Sequence, residues 1–195
     1  MLWLLCGVAQ ALEVPVLLHV AREHGADVAS EEFIATQLEH ANTIYRPLGI
    51  ELVIAGRRTF QAARMNTRED RDALGAHLRA GVVNWFVVAQ LMDVDEPGRE
   101  RRGVHWRVRA TPSRRFVIVS AISGPYVLAH ELGHFFGNPN HSDVAGNLMC
   151  YTQTDQVPFL DHPQQANVAR TLRGMRTRGE LSPLRKARRL LGSPP

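Results

Sequence analysis

Residues 125–137, "PYVLAHELGHFFG", constrain the fold of this chain more than any other stretch. His130 and His134 are four residues apart, so on a helix they lie one turn above each other on one face. Val127, Leu128, Leu132, Phe135 and Phe136 make the rest of that helix apolar, so it must sit inside a layered core. Gly133 lets a neighbour approach closely, and Gly137 can take the left-handed conformation that ends a helix and turns the chain back. Ser123, Gly124 and Pro125 mark the start, with proline where a missing N–H costs nothing.

Two imidazoles on one helical face can point at one metal ion. Glu131 follows the first of them and cannot share its direction; it would reach past the metal toward a water, where a carboxylate can take a proton and later pass it to a leaving amine. The plain alternative is a partly buried helix whose histidines make ordinary hydrogen bonds.

The sequence continues "NPNHSDVAGNLMCY", residues 138–151. With the preceding helix it resembles the metzincins, zinc endopeptidases with the pattern H-E-x-x-H-x-x-G-x-x-H followed by a Met-turn. His130, Glu131, His134 and Gly137 fall on that pattern, but position 140 is Asn140 and the next histidine comes one residue late, at His141. Met149 lies eight residues after His141, a spacing similar to that of the matrixin Met-turn. The resemblance therefore implies His130, His134 and His141 as zinc ligands, with the extra residue absorbed in Asn138-Pro139-Asn140. Asp143 is the alternative third ligand, since carboxylates also bind zinc, whereas an asparagine oxygen is a poor partner for it.

Met149 is expected to be buried as a hydrophobic floor under the metal, a packing role rather than a ligand role. Tyr151 resembles the tyrosine of the Met-x-Tyr sequence in astacins and serralysins, which implies a hydroxyl donating to a developing oxyanion. The other reading of Tyr151 is a packed ring with a solvated hydroxyl.

The rest of the chain alternates strands and helices. Residues 14–21 form a short apolar run that reads as a buried strand, and Ser30 with Glu31 and Glu32 opens a helix closed by Pro47 and Gly49. "IELVIAG" and "VVNWFVVAQL" read as strands, with a polar helix over residues 67–79 between them. A long loop over residues 92–113 carries a short edge strand, "GVHWRVR", before the strand "RRFVIVSAI". In the family, the edge strand borders the cleft and pairs with substrate; this makes His105 and Trp106 substrate-binding candidates, against the plain reading of a charged edge protected from aggregation. After Gly137 the chain turns irregular, then helical over residues 163–176, and ends in a basic tail. His19, inside the first strand, reads as a core histidine.

The ends of the chain differ in character. An apolar leader ends in Ala9-Gln10-Ala11, so residues 1–11 read as a signal peptide lacking a basic n-region, and the expected location is secreted or periplasmic. From Arg170 onward there are eight basic residues against the single acid Glu180. No aromatic residue interleaves with those arginines, and "LRKARRLL" suits an amphipathic helix with a solvated face, so no specific nucleic-acid partner is expected. No segment reaches the roughly 20 apolar residues of a membrane span. Two cysteines, Cys6 and Cys150, cannot make a disulfide framework.

The fold expected is α/β of zincin type: a twisted mixed sheet with backing helices and an active-site helix. Residues 12–137 form an upper lobe and residues 138–195 a lower lobe with the basic helical tail. The function expected is zinc-dependent peptide hydrolysis with Glu131 as general base and then acid, acting on a peptide or protein. The alternative is an inactive zinc-containing binding protein of the same fold.

Overall fold

The computed structural model describes residues 11–152 and 154–192. The candidate leader, with Cys6, lies almost wholly outside the described residues. The elements in chain order are β1 (Leu12–Glu23), β2 (Ala26–Asp27), α1 (Glu31–Tyr45), β3 (Ile50–Phe60), β4 (Arg64–Met65), α2 (Arg68–Ala73), β5 (Val83–Val88), β6 (Gln90–Leu91), β7 (Gly103–Arg107), β8 (Arg115–Ser120), α3 (Val127–Phe135), α4 (His162–Thr177) and α5 (Leu184–Leu191).

The main sheet runs β3-β1-β5-β8-β7, with β2 joined to the end of β1. All its long strands are parallel except β7, which pairs antiparallel with β8 and forms an edge. This is the expected mixed sheet. β1 shows why its sequence is almost continuously apolar: Val14, Val16, Leu18 and Val20 face the core shared with α1, α3 and α4, while Leu17 and Ala21 face cores on the other side. A strand covered on both faces has no solvent side to mark with polar residues.

Local signals set most element ends. Ser30 Oγ accepts the Phe33 N–H at the start of α1, and Gly49 adopts φ +71° after its last turn. Asp161 and Gln164 form a reciprocal capping box at the start of α4. The polar helix expected over residues 67–79 is shorter: α2 ends at Ala73 and a 3₁₀ turn over Leu74–His77 follows. Gly75 lies in that turn, where a Cβ would sit 3.2 Å from Val108, and its carbonyl accepts from Arg114. Contacts from distant loops thus override the local helical pattern.

α3 packs on β7 and β8 on one side and on α1 on the other. It begins at Val127, two residues after Pro125, with no side-chain cap from its own sequence. Its start is instead held by buried Gln37 of α1: Gln37 Oε1 accepts the Leu128 N–H at 3.1 Å, and Gln37 Nε2 donates to the Gly124 carbonyl at 2.7 Å. α5 lies on the opposite face of the sheet, against β1 and β3, with Ala187 buried beside Leu17, Ala55 and Val82. Its arginines and lysine are the solvated face that its pattern implied. Among the described residues, no helix is long and apolar enough to cross a membrane.

Candidate metal centre

The end of α3 explains how the histidines are aimed. The Asn138 N–H bonds the Gly133 carbonyl at 3.1 Å and the Gly137 N–H bonds the His134 carbonyl at 3.2 Å. Gly137 has φ +102°, so the helix closes in a Schellman turn that a side chain at 137 would strain. The turn presents the Asn138 carbonyl to His134, whose Nδ1–H donates to it at 2.7 Å. Likewise His130 Nδ1–H donates to the Leu148 carbonyl at 2.7 Å. Both imidazoles are thereby held as the tautomer whose Nε2 lone pair is free for a ligand.

His130, His134 and His141 offer ring nitrogens that all lie within 4.8 Å of one another; among the described residues they are the one such group of three candidate ligands. Asp143 is exposed and outside the group. His134 Nε2 and His141 Nε2 are 3.2 Å apart, and two imidazole nitrogens so close need a proton or a cation between them. Two zinc–nitrogen bonds of about 2.0–2.1 Å at a tetrahedral angle put their nitrogens roughly 3.3 Å apart, so the donor set fits such an ion. Burial pushes all three imidazoles below the ordinary histidine range, His134 to about 4, which favours the neutral form that binds metal.

The loop that leads to His141 is clamped to α4. The Asn138 amide donates to the Gln164 carbonyl at 3.3 Å, and its Oδ1 accepts from Asn167 at 3.0 Å. Asn147 and Gln164 exchange amide hydrogen bonds at 2.9 and 3.2 Å, and Asn147 Oδ1 also accepts the Met149 N–H at 2.8 Å. These amides give no periodic signal in the sequence, because their partners lie 17 to 29 residues away. Met149 is fully buried with its sulfur against Gly133, where a Cβ would collide with it.

Glu131 is buried beside the histidines, and burial pushes its carboxyl up to about 8 despite a hydrogen bond from the His105 backbone N–H. A dication nearby would pull it back toward the carboxylate range. Gly103, at the start of β7, makes the close approach possible: a Cβ there would lie 2.9 Å from Glu131 Oε1.

The two candidates on β7 diverge, as successive residues of a strand must. His105 faces α3, with its ring 5.7 Å from that of Phe135 and its Nε2 buried without a partner. Trp106 is a correction to the sequence reading: it points into the second core, under Arg71, and its Nε1–H donates to Asp72 at 2.8 Å. It is therefore core rather than cleft wall. His19 is the satisfied core histidine expected, donating to Asn84 at 3.1 Å and stacked on Phe86.

Tyr151 stands 65% exposed, its ring 4.2 Å from that of His141. Arg101, in the loop before β7, donates its Nε–H to the buried Asp93 at 2.6 Å.

No family model and no curated protein matches this sequence. Solved structures do. Metalloproteinase-II from Bacteroides fragilis superposes with a TM-score of 0.58 at 15% identity, over 82% of this chain and 53% of that one, so this chain spans about half its length. Mature mirolysin from Tannerella forsythia in complex with a cleaved peptide gives a TM-score of 0.59 at 14% identity over 94% and 99%, and mirolysin in complex with compound 9 gives 0.60 at 14% over 95% and 99%. At such identities the likeness shows the fold, which is the mixed α/β architecture of zincin metallopeptidases.

Proposed function

We propose that this protein is a zinc-dependent endopeptidase of metzincin type. The observation that carries the reading is the convergence of His130, His134 and His141 on one point, with two of the three Nδ1 atoms tied to backbone carbonyls and Glu131 buried alongside. The fold shared with metallopeptidases supports it, as does the fact that mirolysin was captured with a cleaved peptide.

His130, His134 and His141 would hold the ion. When bound, zinc supplies Lewis acidity toward a water and a scissile carbonyl. Glu131 takes a proton from the attacking water as its oxygen bonds the carbonyl carbon. It then delivers that proton to the amine nitrogen as the C–N bond breaks. The His105 N–H and the contact with Gly103 hold the carboxylate in place for both transfers. Met149 fills the space under α3 and keeps His130 and His134 at a fixed depth. The cleft on this reading lies between residues 12–137 and residues 138–195, with export implied by the leader.

Incubating the purified protein with a broad peptide library, with chelator and after zinc add-back, tests the reading. Cleavage abolished by chelator and restored by zinc is the expected result. Stoichiometric zinc with no cleavage of any peptide would instead favour a zinc-containing binding protein.

A further inference from the structure

Tyr45, the last residue of α1, is fully buried against α3 and has no part in the proposed hydrolysis. Its hydroxyl donates to the Ala129 carbonyl at 2.9 Å. In an α-helix that carbonyl also takes the N–H four residues on, here Gly133, and its second lone pair leaves room for the phenol. The same hydroxyl lies 3.7 Å from where a Cβ of Gly133 would stand, a place that the Met149 sulfur also crowds. The ring meets Phe136, which closes α3, edge-on with centroids 5.6 Å apart. Ala129, Gly133 and Phe136 follow one another at i, i+4 and i+7, along one face of the helix. Ala129 and Gly133 immediately precede His130 and His134, so one side chain spans both turns of α3 that carry candidate ligands.

α1 grips α3 at a second place. Gln37, about two turns before Tyr45 and also buried, holds the Gly124 carbonyl and the Leu128 N–H. Ala41 lies one turn from each on the same face of α1, fully buried and too small to keep the helices apart. Apolar contacts are non-directional and would let α3 rotate or slide a little at low cost, whereas a hydrogen bond has a preferred distance and angle. Burial pushes the Tyr45 hydroxyl well above its ordinary value, so it stays protonated and remains a donor. The His130 and His134 rings are tied at Nδ1 to Leu148 and Asn138, in the segment after the helix. Those ties aim the rings but leave the backbone that carries them without a reference of its own. Tyr45 and Gln37 supply that reference from α1.

We propose that Tyr45 and Gln37 are positioning residues of the metal centre, which together set the depth and rotation at which α3 presents His130 and His134. The inference rests on the zinc reading of the site, and its main readout is metal affinity rather than cleavage.

The test compares Tyr45→Phe, which keeps the ring and removes the hydroxyl, with Gln37→Met and Ile44→Val. Ile44 is a buried α1 residue of the same core whose side chain makes no hydrogen bond, so its variant reports what lost packing alone does. Zinc affinity is read by competition with a chromogenic chelator, ligand geometry by the visible absorption of Co2+-substituted protein, and folding by the urea midpoint. Tyr45→Phe should weaken zinc by about tenfold or more, the scale of losing a group that orients a ligand, and should alter the cobalt spectrum. Gln37→Met should change both readings in the same direction. Ile44→Val should lower the urea midpoint and leave zinc affinity and the spectrum unchanged. In the loaded enzyme, Tyr45→Phe should lower kcat with little change in KM, because no substrate contact is removed. Were Tyr45→Phe not to fold, Gln37→Met would decide by the same two readings. Wild-type affinity and spectrum in the Tyr45 and Gln37 variants, or an equal loss in Ile44→Val, would overturn the inference. Wild-type protein that binds zinc but cleaves no peptide would count against the peptidase reading alone, and wild-type protein that takes up no zinc would overturn both.

Discussion

Gly103 on β7 and Glu131 on α3 are in direct contact: a Cβ added to Gly103 would lie 2.8 Å from Glu131 Cγ and 2.6 Å from Val127 Cγ1. The empty space at 103 is what lets the edge strand bring its His105 N–H to the carboxylate. Gly103→Ala should displace the Glu131 side chain and lower kcat/KM at least about tenfold, with zinc stoichiometry unchanged. Its overpacking should cost about 1–3 kcal/mol in stability. Steady-state kinetics beside metal analysis checks this; an unaltered kcat/KM would mean that Glu131 is not held by this contact.

Glu131→Gln keeps the shape of the side chain and removes the base. Zinc should remain bound at full stoichiometry while cleavage falls by about 10²–10⁴ or more. Near-wild-type turnover in this variant would remove Glu131 from the mechanism.

The third ligand can be assigned by comparing single alanine variants. His141→Ala should weaken zinc binding by about 100-fold or more, whereas Asn140→Ala and Asp143→Ala should change it little. Competition with a chromogenic chelator measures all three, and a larger loss in Asp143→Ala than in His141→Ala would reverse the assignment.

Asn138 joins the added loop to α4 through two side-chain hydrogen bonds while its carbonyl orients His134. Asn138→Ala should destabilise the fold by about 1–3 kcal/mol, because two half-buried hydrogen bonds to α4 are lost. It should also weaken zinc by about 10–100-fold through looser orientation of His134. Urea unfolding and zinc titration give the two values separately; a loss of stability without any loss of zinc affinity would show that the clamp does not reach the histidine.

His19 should contribute to acid lability. Burial lowers it to about 4, so the unfolded chain takes up a proton below the ordinary value of 6.5 while the folded chain stays neutral until about 4. More protons on the unfolded state means that stability rises with pH, so this contribution is complete above 6.5 and is lost as pH falls from 6.5 to 4. The full effect is about 3 kcal/mol. In metal-free protein, His19→Gln should flatten the fall in urea midpoint over that window, and an identical slope would exclude His19 as a source.

Much of the architecture was legible in residue order. The apolar runs around Val16, Val53, Val87 and Ile118 became strands of the main sheet, and β7 emerged as the antiparallel edge. The α3 pattern was readable because its signals are local: a four-residue spacing, an apolar stripe and a glycine at the close. The start of α3 was misread by two residues because Gln37, from another helix, does the capping. Trp106 was misassigned because an edge strand has two faces, and sequence alone did not say which of them met α3.

The sequence by itself determined that His130 and His134 share a helical face, that Gly137 ends that helix, and that strands alternate with helices around it. Those features depend on backbone geometry within a few residues. Tertiary structure decided that His141 joins the pair, that Gly103 makes room for Glu131, and that Asn138 and Asn147 tie the loop around His141 to α4. Each of these joins residues from separate segments, through steric fit or hydrogen bonds whose partners become neighbours only when the sheet and helices pack.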